Sequence, residues 1–129
     1  MSMNKLEFVL PDQHRKLKEN EIRQLSIHEL LSYECPMTIM INDRVFFNDP
    51  FFCILEFWKS LAEWDKTDTF DYHSIETDEN PLIRFVRTPD GWLLRSPWSV
   101  FNADEYLLST EDLCIAISAL EKQLFVSDI

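Results

Sequence analysis

The chain has 129 residues, of which 46% are hydrophobic, and a formal net charge of −11. The length fits a single domain, residues 1–129, with a core of its own, and the apolar content excludes a disordered chain. The charge opposes a phosphate backbone, which argues against nucleic-acid binding, and favours fast encounter with a basic protein.

Near the N-terminus Leu6, Phe8 and Leu10 alternate with Lys5, Glu7 and Val9, which predicts a strand ended by Pro11-Asp12. Residues 12–24 are polar and contain Arg15, Lys16, Lys18 and Arg23, so an exposed connection is expected. Ser26 and Glu29 stand at capping-box spacing and predict a short helix from Ile27 to about Tyr33. That helix should bury Ile27, Leu30 and Leu31 and stop at Pro36. The apolar runs 37–41 and 45–47 flank Asn42-Asp43, a turn pair, and read as a β-hairpin.

The stretch from Asn48 to Trp64 organises the rest. Asp49 can cap a helix and Pro50 suits its first position, while Phe51, Leu55, Trp58 and Ala62 recur at helical spacing. A central helix over about 50–64 is predicted, apolar nearly all round and therefore covered on more than one side. Next, Phe70, Tyr72 and Ser74 alternate with Asp71, His73 and Ile75, a strand pattern. Residues 81–88 and 92–98 form a second hairpin around Pro89-Asp90-Gly91, with a three-residue loop that would set Val86 opposite Leu94 and Phe85 opposite Arg95. Its arginines, Arg84, Arg87 and Arg95, need carboxylate partners or solvent, and Asp71 or Glu76 of the preceding acidic strand could supply the carboxylates. A last strand is expected around Val100-Phe101. Ser109 caps a helix over about 111–125 in which Leu113, Ile117, Leu120 and Leu124 form the inner stripe. Hairpins without βαβ crossovers define an α+β fold, a mainly antiparallel sheet of about five or six strands packed with the central and C-terminal helices.

Chemistry is sparse. The one glycine, Gly91, rules out a glycine-rich phosphate loop. Cys35, Cys53 and Cys114 are odd in number with no C-x-x-C, so no zinc ribbon or disulfide framework is indicated. His14, His28 and His73 lack metal-ligand spacing. No cofactor, metal or catalytic set is expected, and His73 with nearby acids is the one acid–base pair that could be drawn. No apolar run is long enough to span a membrane, and the N-terminus lacks a signal-peptide core, so a cytoplasmic protein is expected. What stands out is 63–80, with seven acids against Lys66. Trp64, Asp65, Asp68, Phe70, Asp71, Tyr72, Glu76, Asp78 and Glu79 there combine aromatic anchors with a charged rim, as a steered protein interface does.

The layout of Ile41-Asn42-Asp43-Arg44-Val45-Phe46-Phe47, Glu56-Phe57 in a helix ending near Trp64, Asp90-Gly91-Trp92, and Leu108 to Leu113 resembles small acidic proteins of Gram-positive bacteria of the toxin-immunity type. The likeness covers residues 37–125 and its motifs are structural, so no functional residue is carried over by position. It implies a non-enzymatic protein that binds and neutralises a basic toxin domain. The alternatives are a structural or regulatory module that self-associates, and an enzyme built on His73.

Overall fold

Two antiparallel hairpins, each extended by a third strand, close around one run of aromatic side chains. The computed structural model describes residues 4–11, 16–75 and 77–126. Asp12, His14, Arg15, Glu76 and the residues after Val126 lie outside them. The first sheet joins β1 (Leu6–Val9), β2 (Glu34–Ile41) and β3 (Arg44–Cys53) in that order. Two short helices, α1 (Glu19–Ile22) and α2 (Ile27–Ser32), come between β1 and β2. After β3 follow α3 (Ile54–Glu63), then the second sheet, β4 (Phe70–Tyr72), β5 (Ile83–Thr88) and β6 (Gly91–Arg95), and finally α4 (Thr110–Leu124). The expected α+β class, its antiparallel strands and its C-terminal helix are all present; the six strands form two sheets rather than one.

The first hairpin turns on Asn42 and Asp43, both left-handed at φ 50° and 67°, the conformation a two-residue hairpin loop needs. Both strands run further than expected. The helix start assigned to Asp49-Pro50 is instead part of β3, and α3 begins at Ile54 without a side-chain cap. The cause is long-range pairing. Cys35 faces Phe52 while Met37 faces Asp49, so Pro50 and Phe51 bulge opposite Pro36. Both prolines thus sit where the ladder is already broken. Asp49 does accept a backbone N–H, from Phe51 at 2.9 Å, but in a local turn of the bulge. Phe51 consequently lies 66% exposed instead of in the core. A second irregularity, between Ile39 and Met40, lets the adjacent Phe46 and Phe47 both be buried.

The capping boxes of Ser26 with Glu29 and of Ser109 with Asp112 are formed. Helix α2 buries Leu30, but Ile27 is exposed, and Pro36 lies inside β2 rather than at the helix end. Helix α3 buries Leu55 and Trp58 as expected, whereas Ala62 is exposed. Phe57 is its inner hub. Its ring lies 5.6 Å from Phe8, 5.3 Å from Phe52 and 5.2 Å from Tyr72, and so ties both sheets to the helix. The outer edge of β1 is closed by one residue of α4. Gln123 accepts from the Leu10 N–H and donates to the Phe8 carbonyl, replacing a neighbouring strand.

In the second hairpin the loop has two residues, with Thr88 opposite Gly91, so the register is one residue off the expected one. Phe85 faces Leu94 and Arg84 faces Arg95. Ile83, Phe85, Trp92 and Leu94 therefore share the buried face. Gly91 pairs with Thr88 and opens the strand, and its missing side chain leaves room for the Leu108 carbonyl: Trp92 and Leu108 exchange both backbone bonds at 2.8 and 2.9 Å. The residues around Val100-Phe101 form a loop. Val100 donates one bond to the Phe46 carbonyl, and Phe101 packs against Phe46.

Candidate functional site

The acidic segment begins where α3 ends. Trp64 leaves the helix in extended conformation, its indole stacked over Phe85 at 5.9 Å and edge-on to Trp92 at 5.1 Å. Its Nε1–H donates to the Asp68 carbonyl at 2.8 Å and closes a tight loop. Inside that loop one Asp65 oxygen accepts from the Thr67 hydroxyl and N–H, which hold the carboxyl below the usual carboxylate range. Asp68 accepts from the Thr69 N–H at 2.7 Å.

Phe70 and Tyr72 are core residues, 5% and 1% exposed, and so are not the protruding anchors the sequence suggested. The alternation that makes 70–72 a strand turns both aromatics to one face and Asp71 to the other. Tyr72 packs on Phe52 and Phe57 and donates its hydroxyl to Glu56 at 2.6 Å. Burial, and then the Glu56 carboxylate, push the Tyr72 phenol well above its ordinary value. Trp64 is half-buried for the same reason: its rings complete the core.

The acids lie on the outside. Asp65, Asp68, Asp71, Asp78 and Glu79 are exposed. Asp71 faces Arg84 across β4 and β5 and accepts its Nε–H at 2.6 Å, the structural pairing expected for that arginine. Arg95 has found Asp104 instead, and Arg87 lies over the Trp92 ring at 4.9 Å. Asn80 ties the following loop together, accepting from the Ser74 N–H and donating to the Ser74 and Thr77 carbonyls. Glu79 reaches Trp98, accepting its indole N–H at 2.8 Å. Contacts such as Glu79 with Trp98 carry no local sequence signal. The inward turn of Phe70 and Tyr72 did, in the same alternation.

His73 is exposed just beyond β4, and Glu76, its suggested partner, lies outside the described residues. Among the described residues no group of three or more His, Cys, Asp or Glu side chains is placed to hold a metal ion. All three cysteines are free, and burial pushes the Cys35 thiol up, away from the reactive thiolate. Among the described residues no helix is long and apolar enough to cross a membrane.

Fold and site together define a small α+β protein with an acidic loop face mounted on an aromatic core. The chain belongs to the family described as Domain of unknown function (DUF7878), which matches residues 6–127. No curated protein and no solved structure matches it.

Proposed function

We propose that this protein is a non-enzymatic binding domain that presents its Glu63–Glu79 face to a basic protein, and that the partner is a toxin domain, such as a nuclease, which it neutralises. One observation carries the reading. Asp65, Asp68, Asp71, Asp78 and Glu79 are exposed while Phe70 and Tyr72 are locked in the core and Trp64 packs half-buried against it, so these charges are mounted on fixed structure before a partner arrives. Pre-positioned groups lose little freedom on binding, and a charged face steers encounter. Trp64, Phe70 and Tyr72 thus serve as the mounting, and Asp65, Asp68, Asp78 and Glu79 as the presented surface. Resemblance in layout to toxin-immunity proteins points the same way.

The test begins with co-purification of the tagged chain with the product of any toxin-like gene beside its own. Association is then followed by stopped flow at two salt concentrations. Replacing Asp65, Asp68, Asp78 and Glu79 together by their amides should slow association and flatten its salt dependence, with dissociation changed less. An unchanged association rate would move the binding face elsewhere.

A further inference from the structure

Where the acidic segment begins, a cavity of about 480 Å³ opens between α1, α3 and α4, and Glu63 and Lys66 of that segment stand on its wall. The turn after α1, the outer side of α3 and the inner side of α4 wall it. Its floor is apolar, with Ile22, Trp58, Leu61 and Ile117 all buried. Its volume falls in the range of small-molecule sites, about 300–1,000 Å³.

The charge at this cavity runs against the rest of the molecule. Three of the chain's twelve lysines and arginines, Arg23, Lys59 and Lys66, line it, although the net charge is −11. Lys66 is the most informative. It is left-handed at φ 63°, an uncommon conformation for a residue with a side chain, and the Asp65–Thr67 bonds hold the backbone on either side. In that conformation its side chain lies half-buried along the cavity wall. Among the described residues neither Lys59 nor Lys66 has a carboxylate within ion-pair distance. Of the two acids at the cavity, Glu121 accepts from the Trp58 indole and Glu63 stands at the exposed end of α3.

We infer that this cavity is a binding site for a small amphipathic monocarboxylate, with its ring or branched aliphatic body on the Trp58–Ile117 floor and its carboxylate between Lys59 and Lys66. An apolar floor with a few polar groups on its wall is the general form of such sites, and Lys59 and Lys66 are cations on this wall without a carboxylate partner among the described residues. Two lysines satisfy one carboxylate as point charges. A dianion fits less well, because Glu63 and Glu121 share the rim and a second charge would be desolvated without a cation of its own.

The whole chain is titrated by calorimetry with 2-naphthoate and with its neutral isostere 2-naphthamide. Saturable binding of one naphthoate per chain is expected, with the amide at least about tenfold weaker, a difference of about 1.4 kcal/mol. Lys66→Gly suits the left-handed backbone and removes the charge, and Lys59→Met removes the other from an exposed helix position. Each should weaken naphthoate and leave the amide unchanged, and the pair should abolish the preference. Ala62→Trp, at an exposed position on the rim, should block both probes while circular dichroism stays that of the wild type. Equal affinity of the wild type for the two probes, a naphthoate preference that survives both lysine replacements, or no saturable binding of naphthoate overturns the inference.

Discussion

At Gly91 there is no room for a methyl group. A Cβ there would stand 2.5 Å from the Leu108 carbonyl oxygen, and φ is +151°, a backbone that side chains rarely adopt. Gly91→Ala should cost at least about 1–3 kcal/mol from the backbone alone, read as a lower denaturant midpoint. Full stability in that variant would mean that the 107–108 segment yields freely. Tyr72 offers a second test, in pH. The folded state holds the phenolic proton more tightly than the unfolded chain, through burial and the Glu56 carboxylate. Its contribution is therefore complete below the unfolded tyrosine pKa of about 10 and is lost as pH rises above it. Wild-type stability should fall more steeply than that of Tyr72→Phe above about pH 10. At neutral pH Tyr72→Phe should cost about 1.5–3 kcal/mol, the worth of a hydrogen bond to a charged group. Parallel alkaline stability curves for the two proteins would count against this role.

At the scale of elements, β3 and α3 divide a stretch that looks helical throughout. Leu55 is 1% exposed and Phe51 is 66% exposed, four residues apart. Leu55→Ala should cost about 2–5 kcal/mol, whereas Phe51→Ser should stay within about 0.5 kcal/mol of the wild type. Equal losses at the two positions would restore one continuous helix. The contrast shows where sequence reasoning succeeds. The Asn42-Asp43 turn and the caps at Ser26 and Ser109 were legible because each is closed by residues at most three apart. The start of α3 was not, because it depends on Cys35 pairing with Phe52, seventeen positions away. The register of the second hairpin was missed for a related reason: a carbonyl from residue 108 decides what Gly91 is for. At the acidic face the charges were legible as composition. The inward turn of Phe70 and Tyr72 was implied by strand alternation, but which side would be covered depended on Phe52 and Phe57.

For the molecule as a whole, a net charge of −11 works against compactness, since like charges repel more strongly in the folded state than in the expanded one. Much of that repulsion should lie in 63–80, where Lys66 is the one base and Asp71 is already matched by Arg84. Salt screens such interactions, with a Debye length of about 30 Å at 0.01 M falling to about 8 Å at 0.15 M. The wild type should therefore melt at a higher temperature in 0.15 M salt than in 0.01 M. The amide variant at Asp65, Asp68, Asp78 and Glu79 carries four fewer negative charges. Its local structure should persist, because an asparagine in place of Asp65 would still offer an oxygen to Thr67 and a glutamine in place of Glu79 would still accept from Trp98. That variant should be more stable than the wild type at low salt and gain less from added salt. The difference should be no more than about 1 kcal/mol, since the groups are exposed. A wild type that loses stability with salt would place the balance in its ion pairs, Arg84 with Asp71 and Arg95 with Asp104, and remove the repulsion from the acidic loop. The same variant links stability to binding. If the acids are there to meet a basic partner, removing them should raise the melting temperature and slow association together, because the charge that speeds encounter is the charge that repels itself.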